Sequence, residues 1–261
     1  MRIASLQPSI SVTLKHLGKL DQLCACTKYC LDVVPELAAL NIPVLHDSWT
    51  ANTGEILAAK PDLVIASVPY RMESLAAILK SGLPVLALAP HTLADIYNDT
   101  RILASLVQAP EAGEKINRKM SEAIEQVRRQ TSSLSKEKIY CEEWGNPLIH
   151  SQGWVAELIE AAGGTFLGTP GAHTDAESIA AVDPDVLLFA WCGAGDRVPL
   201  ARIIEQRRWQ SLRAVRSGKV FCIPDEYLNT PSFTLTAGLV CIAHALHPEM
   251  FPAHPRLIRL A

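Results

Sequence analysis

The segment PEAGEKINRKMSEAIEQVRRQTSSLSK, residues 110–136, decides the fold. Apolar or small residues recur at Ala112, Ile116, Met120, Ala123, Ile124, Val127, Thr131 and Leu134, in steps of three and four. That period places them along one side of a helix, with Glu, Lys, Arg and Gln around the rest. Pro110 suits the first helical turn, and Glu111 and Glu114 lie near the positive end of the helix dipole. Strand and helix patterns alternate on both sides of it. The segment therefore predicts one long helix connecting two lobes.

Before this helix, strands are expected at residues 3–6, 23–27, 42–45, 63–66 and 84–88. Helices are expected at 11–17, from Pro35, at 53–59 with Thr53 as N-cap, at 72–80 and at 92–107. Lys28-Tyr29-Cys30 reads as a polar turn. After the helix, strands follow at 138–142, 186–190 and 219–223, and helices at 154–162, 200–205 and 232–246. Residues 144–147 read as a loop. Leu63-Val64-Ile65-Ala66 and Val186-Leu187-Leu188-Phe189-Ala190 are continuous apolar runs, as strands covered on both faces of a parallel sheet require. Each run follows a similar start, Lys60-Pro61-Asp62 in one half and Asp183-Pro184-Asp185 in the other, a short internal echo. The expected fold is α/β: two doubly wound α/β lobes, residues 1–109 and 137–261, joined by the single long helix 110–136, with a ligand cleft between the lobes.

Composition narrows the function classes. Hydrophobic residues make up 49% of the 261, enough for a sizeable core, and a net charge of -3 gives no footing on nucleic acid or an anionic membrane. Arg128-Arg129 and Arg207-Arg208 read as solvated helix faces. No secretory apolar core follows Met1, no run is long enough to span a membrane, and seven cysteines, an odd number, suit reduced thiols. A cytoplasmic monomer is expected, or a periplasmic or cell-surface one if a leader preceded it.

Ligands of open α/β sheets bind beyond the carboxyl ends of the strands. The residues there are unusually aromatic: Tyr29, Trp49, Tyr70, Trp144, Trp191 and Tyr227. Flat rings with a polar edge suit a large planar ligand. Cys30, His46, His91, Glu143 and Cys192 lie at the same exits and suggest a transition metal, though without diagnostic spacing. Catalytic signatures are missing: no G-x-S-x-G elbow, H-E-x-x-H, phosphate loop or G-x-G-x-x-G occurs.

The opening RIASLQPSISVTLKHLG with DQLCACTKYC, the segment EEWGNPLIHSQGWVAELIEAAGG and the closing PDEYLNTPSFTLTAGL resemble the cobalamin and iron-siderophore substrate-binding proteins of ABC importers. The likeness is strongest to members with a Cys after the second strand, a Glu-Trp pair after the connector and a later Cys-Gly, here Cys30, Glu143-Trp144 and Cys192-Gly193. That resemblance implies a binding protein, not an enzyme, with little hinge motion and no covalent cofactor. Its ligand would be a corrinoid, a ferric chelate or a metal ion, and its partner an ABC permease. Ligand-binding residues are then Tyr29, Cys30, Tyr70, Glu143, Trp144, Trp191, Cys192 and Tyr227. Glu73 and Asp196 would dock the permease. The competing expectation is direct binding of a transition-metal ion, with Cys30, Cys192 and His91 as candidate ligands.

Overall fold

The computed structural model describes residues 1–46, 50, 52–69 and 71–260. The chain divides into two compact units, Met1–Lys119 with Pro231–Phe233, and Met120–Thr230 with Thr234–Ala261. Both are α/β.

The first unit contains β1 (Ile3–Ser5), α1 (Pro8–His16), β2 (Leu23–Thr27), α2 (Lys28–Val33), β3 (Val44–Leu45), α3 (Thr53–Ala58), β4 (Leu63–Ser67), α4 (Met72–Lys80), β5 (Val85–Leu88) and α5 (Leu93–Leu106). Its five strands run in the order β3-β2-β1-β4-β5, every pair parallel. Successive side chains of β1 serve opposite faces: Ile3 packs with Ile10, Leu14 and Ile65, whereas Ala4 and Leu6 pack with Ile56, Val64 and Ile78. The order reverses between β1 and β4, the switch point at which open sheets leave a crevice. Gln7 bridges it, its Nε2 donating to the Pro69 carbonyl at 2.8 Å.

The expected polar turn at 28–30 is instead helix α2. Thr27 caps it by accepting from the Cys30 N–H at 3.4 Å, so Tyr29 and Cys30 sit in a first helical turn. At α3 the cap is Asn52 rather than Thr53, accepting from Gly54 and Glu55.

From the first unit α6 (Pro110–Thr131) runs on into the second. Its buried stripe is Gly113, Asn117, Met120, Ile124, Val127 and Thr131, which replaces Ala112 and Ile116 as the centre of its amino-terminal half. A Cβ at Gly113 would lie 2.5 Å from that of Ala104, so α5 and α6 touch where only glycine fits. The helix stops at Thr131, whose hydroxyl bonds the Val127 and Ala161 carbonyls, and Ser132-Ser133 are weak helix formers.

Thereafter come β6 (Glu137–Gly145), β7 (Leu148–His150), α7 (Gly153–Ala161), β8 (Gly164–Phe166), β9 (His173–Thr174), α8 (Ala176–Val182), β10 (Val186–Phe189), α9 (Leu200–Gln206), α10 (Arg213–Arg216), β11 (Val220–Cys222), α11 (Leu235–Leu246) and β12 (Ile258–Arg259). Parallel pairing joins β8, β6, β10 and β11, and β7, β9 and β12 add antiparallel margins. The expected loop at 144–147 is the end of β6 and its turn into β7. Strand order again reverses beside the unit's first strand, between β6 and β10.

The echoed Pro-Asp segments do the same job in each unit. Lys60 and Asp183 both take the left-handed conformation, at φ 49 and φ 48. Asp62 then clasps Arg2: its N–H donates to the Arg2 carbonyl at 2.8 Å and its carboxylate accepts from the Arg2 N–H at 2.7 Å. Asp185 clasps Lys138 through the same two bonds, each 2.8 Å. Two adjacent strands are thereby registered at their amino ends in both units.

Candidate functional site

The carboxyl ends of β6, β10 and β11 gather most of the expected site residues. Ala190 N–H donates to the Glu142 carbonyl at 2.9 Å and Cys192 N–H to that of Glu143 at 3.1 Å, so the two chain segments leave the sheet side by side. The loop after β10 turns through Gly193 and Gly195, both with positive φ. Asp225 fixes that loop from the β11 exit, its carboxylate accepting from the Gly193 and Gly195 N–H groups at 2.8 and 2.7 Å. Burial pushes the Asp225 carboxyl above its usual range, against the pull of those two bonds. This ties the turn bearing Tyr227 to the loop bearing Trp191 and Cys192.

Glu143 and Cys192 form a half-buried polar pair. Gln152 Nε2 donates to Glu143 at 2.7 Å, the Cys192 thiol lies 3.8 Å from its other oxygen, and Asn229 Nδ2 donates to Cys192 Sγ at 3.3 Å and to the Ala190 carbonyl at 2.6 Å. Burial raises the Glu143 carboxyl. Cys192 is raised well above the usual thiol value, by burial first and then by the charges of Glu143 and Asp225. A raised thiol is a poor nucleophile.

Trp144 is 43% exposed, and its indole N–H donates to the Asn146 carbonyl at 2.8 Å, an exposed bond within the same turn. Trp191 is half-buried, and its N–H donates to Glu142 at 2.8 Å. Tyr227 is also half-buried, between the Arg256 guanidinium 5.4 Å from its ring centre and the His254 ring at 5.1 Å.

Other expected residues lie elsewhere. Cys30 is fully buried in the core of the first unit, 3.3 Å from the Thr27 hydroxyl and 3.8 Å from that of Ser5; its thiol lines no surface. This follows from α2, which turns Cys30 inward and leaves Tyr29 half-buried with Lys28 over its ring at 4.7 Å. Exposed His91 gives its backbone N–H to Asp95 in the turn before α5, and His46 meets Glu55 at 2.8 Å. Among the described residues, no group of three or more His, Cys, Asp or Glu side chains is placed to hold a metal ion. Trp49 and Tyr70 lie outside the described residues. Glu73, in the first turn of α4, has an 81% exposed side chain that pairs with Arg71 at 4.0 Å. Asp196 is paired to Arg256 at 3.4 Å.

One sequence expectation is overturned outright. Arg207 is not on a solvated face: it enters a buried ion pair with Glu142, its guanidinium donating at 2.7 and 2.9 Å. Nothing in the Arg207-Arg208 pair marks one arginine as buried. The signal lay in the strand, where Tyr140 and Glu142 alternate onto one face of β6.

Among the described residues no helix is long and apolar enough to cross a membrane. Residues 3–227 match the family described as periplasmic binding protein. A vitamin B12-binding protein of Vibrio cholerae is 26% identical over 241 residues, covering 88% of this chain and 83% of the relative. Among solved structures, the periplasmic vitamin B12 binding protein of Vibrio cholerae superposes with a TM-score of 0.77 at 24% identity, over 95% of this chain and 97% of that one. A periplasmic heme binding protein from Pseudomonas aeruginosa reaches 0.83 at 19% identity, over 100% and 98%. These two likenesses establish a shared fold.

Proposed function

This chain belongs to the periplasmic binding protein family, and from that premise we propose that it is a receptor for a metal-chelate ligand, cobalamin-like, haem-like or ferric siderophore-like. The observation that carries this reading is the set of rings at the strand exits of the second unit, Trp144 at the end of β6 and Trp191 and Tyr227 on segments tied together by Asp225. Rigid aromatic surface with few free polar atoms favours a large, flat, delocalised ligand. The relatives named for vitamin B12 agree with that chemistry.

The receptor reading extends to a partner. Glu73, charged, exposed and on the outer face of a helix, is suited to an arginine of an ABC permease, and Asp196 would serve the second unit once released from Arg256. Its place of action is then the outer side of the membrane that the permease spans.

Titration of the purified protein with cyanocobalamin, hemin and ferrichrome, followed by intrinsic tryptophan fluorescence, tests the ligand class. One of them should quench the emission saturably. Flat titrations with all three would refute the reading.

A further inference from the structure

Glu142 lies at the centre of an interior network in the second unit. Its side chain is 0% exposed, and four bonds converge on its two oxygens. Arg207 supplies two of them, Trp191 Nε1 donates to Oε1 at 2.8 Å, and the Tyr140 hydroxyl donates to Oε2 at 2.5 Å. Arg207 is itself held, with its guanidinium carbon 4.9 Å from the Trp209 ring centre and 6.0 Å from that of Phe189. The Trp191 ring is closed in from one side by Gly145, where an added Cβ would fall 2.2 Å from Cζ2. One polar atom and one face of this indole are therefore both committed to the protein. The indole also packs against the apolar core of the unit, and the part of it left exposed is apolar ring.

We propose that the Glu142–Arg207 pair is a positioning device for the ligand site, fixing Trp191 as a rigid, purely apolar wall. The cost of burying a charge pair is the reason to look for such a role, since hydrophobic residues of similar volume would often be as stable. The pair supplies what a hydrophobic filling cannot, an acceptor at a fixed point for the indole N–H. Arg207 keeps that acceptor in place and acts on Trp191 through it, with a longer contact to the Gly145 carbonyl at 3.5 Å. Trp144 follows the same plan on the neighbouring segment, its N–H consumed by the Asn146 carbonyl. Both tryptophans thus meet a ligand through π surface and neither through a hydrogen bond. This inference rests on the receptor reading above.

Two double variants separate positioning from mere packing. Glu142→Gln with Arg207→Met removes both charges and keeps an acceptor for Trp191; Glu142→Leu with Arg207→Met removes the charges and the acceptor. Each is measured for affinity toward cyanocobalamin and hemin, for thermal stability, and for the near-ultraviolet circular dichroism band that Trp191→Phe identifies. The Gln variant should keep the band and bind within about threefold of wild type, and the Leu variant should lose the band and bind about tenfold more weakly, the worth of one hydrogen bond. Equal affinities and equal bands in the two variants would overturn the proposal. Should wild type bind neither probe, the receptor reading falls separately, and the band alone decides: kept with Gln and lost with Leu supports the positioning role, the same in both refutes it.

Discussion

Arg207→Met alone should be more harmful than Glu142→Gln with Arg207→Met. It leaves Glu142, whose side chain is 0% exposed, without the guanidinium that donates to it at 2.7 and 2.9 Å. Removing one partner of a buried pair costs about 3–5 kcal/mol, and the surviving donors Tyr140 and Trp191 place this case near the lower end, about 3 kcal/mol at pH 7. Urea denaturation of wild type and variant at pH 7 measures the deficit. A deficit below about 1 kcal/mol, the worth of a surface pair, would refute the reasoning.

Three further outcomes follow from particular contacts. Gly145→Ala drives a methyl into the Trp191 ring, at 2.2 Å from Cζ2, and should cost about 1–3 kcal/mol while reshaping the near-ultraviolet dichroism. Burial, helped by the charge of Asp95, pushes Asp99 up to about 6. Its folded pKa exceeds the unfolded one, so the carboxyl costs stability as pH rises from about 4 to 6, and Asp99→Asn should raise the unfolding free energy, read by urea denaturation, by about 1 kcal/mol at pH 8 after allowing for partial exposure, and leave it unchanged at pH 4. Asp62→Ala removes the 2.7 Å bond to the Arg2 N–H; a loss of about 1 kcal/mol and faster exchange of that amide are expected by denaturation and hydrogen exchange.

The alternation of helix and strand was legible because it is written in period: continuous apolar runs for β4 and β10, steps of three and four for α6. The Pro-Asp echo was legible too, and it carries a clasp that no periodicity reveals. What escaped was decided by single hydrogen bonds or by tertiary neighbours. Thr27 turns an apparent loop into α2 by capping it, and so sends Cys30 inward. The short antiparallel strands β7, β9 and β12 have two or three residues each, too few to show a pattern. At the strand exits, the rings Trp144, Trp191 and Tyr227 could be chosen by position, because strand ends are where such sheets hold ligands. Arg207 could not, since it is 65 residues from Glu142 and sits in a polar stretch like any surface arginine.

The Asp62 clasp has a practical side. Arg2 is held by both backbone bonds to Asp62 and by its own side chain, which donates to the Lys60 and Ala59 carbonyls at 3.0 and 2.8 Å. Anything joined ahead of Met1 therefore departs from a fixed anchorage at the amino ends of β1 and β4, the far end of that sheet from Gln7 and Pro69. A purification tag, a fluorophore or a surface tether placed there leads away from the strand exits of the first unit. Immobilisation through that end leaves the crevice of the first unit, at the opposite end of its sheet, uncovered.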